Sequence, residues 1–149
     1  MLIENFDVPG EVASMTKATC EQLICGLING TLAVIDIGRF QIARVLERAH
    51  TGTVVACQAL RASSMEIVVT QDDSREIKVW NAKDLSIPLI KTFGRSYNPV
   101  WYSQSLLELE SSGNKAASST ELHILSACGS EPKVVQYRID LQKKELVAI

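Results

Sequence analysis

Long hydrophobic runs are missing from this 149-residue chain. Its apolar runs, such as residues 54–57 and 67–69, fall far short of the ~20 apolar residues that span a bilayer. Residues 1–7 hold no basic side chain leading into an apolar segment, so no secretory leader is expected, and the cytoplasm or nucleus is the expected compartment. A block of one charge is missing too. The formal net charge is −2, with 4 basic and 6 acidic groups in residues 1–50, 6 and 5 in 51–100, and 5 and 6 in 101–149. Nothing offers the basic excess that phosphate neutralisation needs, so nucleic acid is not an expected partner, and no basic amphipathic stretch points to a membrane surface. Glycine is scarce at eight residues, none in a G-x-G-x-x-G cradle. The four cysteines, Cys20, Cys25, Cys57 and Cys128, form no C-x-x-C pair. A zinc site combining them with His50 or His123 therefore lacks ligand spacing, and Cys57 and Cys128, inside apolar runs, read as small hydrophobes. Nucleophile-elbow and zinc-protease motifs are absent. No metal or cofactor is expected. Helical periodicity is equally scarce, since residues 40–46, the one candidate, fit a strand nearly as well.

What is present is a 46 % hydrophobic composition, enough for a core, cut into short apolar or alternating runs by turn residues. That is the pattern of an all-β assembly. Residues 24–36, 68–81 and 124–138 each give an apolar strand, a small polar turn and a second strand ending in a bulky and then a polar residue. Ile35, Trp80 and Tyr137 fill the bulky position, and the turn residues Asn29, Asp73 and Glu131 precede them. The bulky positions recur after 45 residues (35 to 80) and 57 residues (80 to 137), and a period of ~40–45 residues is that of propeller blades. The polar, Ser-rich residues 108–120 account for the longer interval as an inserted mobile loop.

The segment Arg48-Ala49-His50-Thr51-Gly52 resembles the Gly-His element that opens a WD repeat, with Ala49 in the glycine position. Lys78-Val79-Trp80-Asn81, thirty residues beyond the histidine, resembles its closing Trp-Asp. Asp36 keeps the aspartate in the first repeat behind Ile35, and the third ends in Tyr137-Arg138, with Tyr97-Asn98 near where Gly-His belongs. The resemblance to the WD-repeat β-propeller family spans nearly the whole chain and is strongest in the second repeat. It implies a partial propeller of about three four-stranded antiparallel blades in one domain, at about 9–47, 48–94 and 95–149. The twelve expected strands are 11–16, 22–26, 31–37 and 41–46; 54–60, 66–70, 76–81 and 89–93; and 100–106, 123–128, 134–139 and 145–149. Residues 1–8 are read as the outer strand of a preceding blade.

The resemblance also implies a hydrogen-bonded lock within the second blade, with His50, Thr70, Asp73 and Trp80 in the matching positions. The first and third repeats lack that set. It further implies a non-catalytic scaffold that binds another protein through its d–a and b–c loops, where Arg48, Asp72, Arg75, Arg95, Tyr97 and Lys133 fall. Three blades leave two sheet faces open, so a homodimer, a different chain, or further blades of a longer chain is expected to cover them. Two other readings stand beside this one. The chain is a structural subunit of a large trafficking or ribonucleoprotein complex, or it is a small-ligand, metal-binding or enzymatic domain using His50 and the turn at 72–76.

Overall fold

A computed structural model describes residues 5–18, 21–61, 65–97, 99–103, 121–128 and 132–149. Among them are twelve strands and no helix. The first sheet joins β1 (Val12–Ala18), β2 (Gln22–Leu27), β3 (Leu32–Asp36) and β4 (Gln41–Leu46). The second joins β5 (Val54–Arg61), β6 (Glu66–Asp72), β7 (Glu76–Asn81) and β8 (Ile90–Phe93). The third joins β9 (Pro99–Ser103), β10 (Glu121–Cys128), β11 (Val134–Asp140) and β12 (Glu145–Ala148). Every pairing is antiparallel between strands consecutive in sequence. Residues 41–46, where a helix also fitted, form β4 and have mostly exposed side chains. The end of the expected strand 100–106 and the Ser-rich 108–120 lie outside the described residues.

The period of two along a strand divides each sheet into two faces, and both faces of the middle strands are apolar. On the first sheet Ile24, Leu32 and Val34 point one way, and Cys25, Leu27, Ala33 and Ile35 the other. On the second, Val68 and Trp80 meet the first sheet, while Ile67, Val69, Ile77 and Val79 meet Leu122, Ile124, Tyr137 and Ile139 of the third. Sheets thus stack face against face in chain order. β1 runs beside β5 and β5 beside β9, placing the first strand of each sheet along one common side. Ser14 Oγ donates to Val54 O at 2.7 Å and Ala59 N to Thr16 Oγ1 at 3.0 Å across the first of these seams. The approach there is so close that a Cβ on Gly26 would lie 2.5 Å from Val54 Cγ1.

The two outer faces end differently. Residues 5–10 are not a strand of another sheet. They cross the outer face of the first sheet, where Phe6 and Val8 pack on Cys25, Leu27, Ala33 and Ile35. Phe6 meets the Phe40 ring edge to face at 4.8 Å, and Asn29 Nδ2 donates to Pro9 O at 3.1 Å. This corrects the expectation for residues 1–8, of which 1–4 lie outside the described residues. A short apolar segment is enough to cover four side chains and needs no ladder. At the far end none of the described residues packs on the outer face of the third sheet. Val100, Val134 and Ile149 are 69 %, 69 % and 68 % exposed, and Leu125 and Val147 join them on that face.

Candidate functional site

Between the first two sheets lies a buried polar chain. β6 carries Thr70 and Asp72 on the same face as Val68, and β7 carries Trp80 opposite Val68. His50 enters from the β4–β5 loop, its N–H bonded to Gly30 O at 3.0 Å. Trp80 Nε1 can only donate, and it does so to Thr70 Oγ1 at 2.8 Å. The Thr70 hydroxyl proton is then directed at His50 Nε2, 2.7 Å away. Ionised Asp72 can only accept, so the His50 proton sits on Nδ1 and is donated to Asp72 Oδ2 at 3.2 Å. Asp72 Oδ1 accepts from Ser74 Oγ at 2.6 Å, Ser74 N at 2.9 Å and Glu76 N at 3.1 Å. His50, Thr70, Asp72 and Trp80 are all 2 % exposed or less. A fully satisfied buried network of this kind rigidifies the sheet that carries it.

Asp73 has no place in the chain and Asp72 does, which corrects one of the four expected lock residues. The reason is parity: Thr70 and Asp72 share a face of β6, and the next residue turns away. Asp73 gives its N–H to Thr53 O at 3.0 Å and leans its exposed carboxylate over Gly52, where a Cβ would meet Asp73 Oδ1.

Burial holds the His50 imidazole below its ordinary value of 6.5, with Lys78 acting in the same direction against Asp72 and Glu76. At Asp72 burial pushes upward but is outweighed by the Ser74, Glu76 and His50 interactions, so its carboxyl sits below the ordinary 3.8. The ring is neutral and the carboxylate charged at pH 7, as the hydrogen-bond directions require. Ligand atoms of His50, Asp72 and Glu76 lie within 4.8 Å of one another, a spacing open to a metal ion. The cation in that place is Lys78, whose Nζ is 3.1 Å from Glu76 Oε1 and donates to Ala49 O at 2.6 Å. Lys91 adds a second contact to Glu76 at 3.4 Å. With both ring nitrogens committed and a lysine already neutralising the carboxylate, this cluster is chemically closed.

Strand registers show what the other sheets hold at the same positions. In the first sheet Thr70, Asp72 and Trp80 correspond to Cys25, Leu27 and Ile35, all apolar and buried under Phe6 and Val8. In the third sheet Thr70 and Trp80 correspond to Ser126 and Tyr137. Gly94, not Tyr97, takes the His50 place, its N–H donating to Arg75 O at 2.8 Å as that of His50 does to Gly30 O; Asn98 lies outside the described residues. With no imidazole there, the Tyr137 hydroxyl reaches the backbone and accepts from Arg95 N at 3.0 Å. Trp101 Nε1 is buried without an acceptor in this sheet.

The β4–β5, β6–β7 and β8–β9 loops gather at one end of the stack. Asp73 N to Thr53 O, Gly94 N to Arg75 O, and Gln71 Nε2 to Ser96 O at 2.6 Å tie them together. Of the residues expected to face a partner, Arg48, Arg95, Tyr97 and Lys133 are exposed and Arg75 is half-buried. Asp72 is fully buried and engaged by four donors, so it cannot be a contact. Arg75 lies over the Tyr97 ring, its guanidinium carbon 4.8 Å from the centroid.

Three stacked, meander-ordered four-stranded sheets sharing an inner side are also found in solved structures. The chain is similar to the Cps50 (Swd1) β-propeller domain of Myceliophteria thermophila, with a TM-score of 0.67 at 14 % identity over 99 % of this chain. The fold is a partial β-propeller. The chain spans 41 % of that propeller domain's length. It is also similar to the computationally designed proteins Ika4 (TM-score 0.60, 18 % identity, 95 % of this chain and 72 % of that one) and Ika8 (0.59, 18 %, 91 % and 35 %). No protein-family model and no curated protein matches the sequence. Among the described residues of the partial propeller, no helix is long and apolar enough to cross a membrane.

Proposed function

We propose that this chain is a non-catalytic, WD-repeat-type scaffold segment that binds a protein partner through its loop face and gains further blades, from another chain or its own continuation, on its third sheet. The observation that carries the reading is the His50–Thr70–Asp72–Trp80 network, whose donors and acceptors are all consumed inside one blade. The residues that an enzymatic or metal-binding reading would use are therefore engaged in holding that blade together. The apolar side chains that the described residues leave exposed on the third blade support the second half of the reading, since adjoining blades bury the matching positions Ile24 and Val69 completely. Proteins that co-purify with the intact chain are expected to be lost when Arg75, Arg95 and Tyr97 are all replaced by alanine. Unchanged co-purification would remove the loop face from the proposal.

A further inference from the structure

The register between blades singles out one residue of the loop face. In the first blade the β2–β3 turn closes with Gly30 N donating to Leu27 O, and Gly30 has φ of 84°. In the second blade the same turn closes with Arg75 N donating to Asp72 O, and Arg75 has φ of 73°. An arginine thus occupies a left-handed seat that suits glycine and penalises any side chain. Its side chain is not used to stabilise the fold through an ion pair. Arg75 Nε is buried and has no hydrogen-bond partner. The neighbouring carboxylate of Asp73 leans over Gly52 instead, and Asp72 and Glu76 are engaged with His50, Ser74 and Lys78. The guanidinium plane is held by the face of Tyr97, a ring 58 % exposed. Arg95, exposed, follows Gly94, whose N is bonded to Arg75 O. No ion pair engages Arg75 or Arg95 among the described residues.

A guanidinium pre-set on an aromatic ring, with no ion pair of its own, can offer its two terminal nitrogens to a planar anion in two parallel hydrogen bonds. Two arginines on a chain of net charge −2 are far too few for a nucleic-acid backbone, which demands many phosphate contacts. We infer that the Arg75–Tyr97–Arg95 corner binds side-chain carboxylates of an acidic peptide segment in a partner protein. The inference rests on the loop-face reading and narrows it to a partner chemistry.

The test uses the full 149-residue chain and fluorescein-labelled octaglutamate, with octaglutamine and a phosphoserine-containing peptide as comparisons, read by fluorescence anisotropy. Octaglutamate is expected to bind, weakening between 50 and 500 mM salt as the shortening Debye length screens the charges, with octaglutamine bound at least about tenfold more weakly. Arg75→Gly suits the turn, so its thermal midpoint should stay level or rise while octaglutamate affinity falls by about tenfold or more. Arg75→Lys keeps the charge without the fork and should recover only part. Lys144→Ala removes a cation from the β11–β12 turn at the opposite end and should change nothing. Equal binding of octaglutamate and octaglutamine, or by the folded Arg75→Gly chain and the parent, would overturn the inference, as would tight binding of the phosphoserine peptide alone. If octaglutamate fails while the triple-alanine chain still loses co-purifying proteins, the loop face stands and only its acidic preference falls.

Discussion

Asp72 accepts hydrogen bonds from four donors in the dry space between two blades, while Asp73 beside it offers water a carboxylate. Removing a carboxylate that satisfies several buried donors leaves each of them unpaired, at about 1–3 kcal/mol apiece. Asp72→Ala is therefore expected to lower the unfolding free energy by about 3 kcal/mol or more, and Asp73→Ala to stay within ~0.5 kcal/mol, in urea titrations. The alternation of β6 made that distinction legible in the sequence, since residues 70 and 72 share a face with 80 and residue 73 does not. The resemblance to the repeat pointed to Asp73 instead, because it places the lock by position in the turn and not by the face of the strand. His50 gives the same network a pH dependence. Its folded pKa lies below the ordinary 6.5, so the unfolded chain binds the proton more readily. Stability is then full above pH 6.5 and is lost as the pH falls from 6.5 toward the folded value. Asp72 adds a second loss below pH 3.8, as its lowered carboxyl is protonated. His50→Gln should be less stable at pH 7.5 but show a flatter urea midpoint between pH 7 and 5. An equally steep decline in that variant would assign the pH effect elsewhere.

Strands reveal themselves through apolar runs and turn residues, and the twelve strands lie where those signals placed them, apart from the part of the ninth outside the described residues. The segment over the first blade left no such signal. Residues 5–10 neither alternate nor repeat, and their role depends on Cys25, Leu27, Ala33 and Ile35 lying on the side away from the second blade. The apolar types at those positions are themselves informative. A blade carrying Leu27 and Ile35 where its neighbour carries Asp72 and Trp80 has no side-chain lock at those positions, and its outer face is held by packing. Truncating Phe6 to alanine removes part of that packing and the edge-to-face contact with Phe40. Since Phe6 is only partly buried, the expected loss is about 1–2 kcal/mol, below the range for a fully buried phenylalanine. Hydrogen exchange should then be slowest in residues 54–93, where the lock sits, and should quicken in β2 and β3 on the Phe6→Ala change while β6 and β7 hold. Exchange slowest in the first or third blade would contradict the assignment of rigidity to the network.

At the scale of the molecule the stack is polar in the sense of having two unlike ends, one covered by its own residues 5–10 and one left bare by the described residues. Val100, Leu125, Val134, Val147 and Ile149 form the bare face, a patch on the order of 500 Å², at the upper end of what soluble monomers expose. At ~25 cal/mol/Å² its burial is worth on the order of 10 kcal/mol before the cost of association. That magnitude is enough to drive self-association when no other blade is supplied. The covered end disfavours a head-to-tail ring, because a second copy reaching it must first displace Phe6 and Val8. Two copies joined through their third blades, bare face to bare face, meet no such obstacle and form a closed two-fold pair. Val100→Lys with Val134→Glu places opposite charges on that face without touching the buried side, so the folded stability of the single chain should change by less than ~0.5 kcal/mol. Sedimentation is expected to show the parent chain associating as its concentration rises and the double variant remaining monomeric. If deletion of residues 1–10 were what created association, with the double variant behaving as the parent, the contact would lie at the first blade and the order of the ends would be reversed.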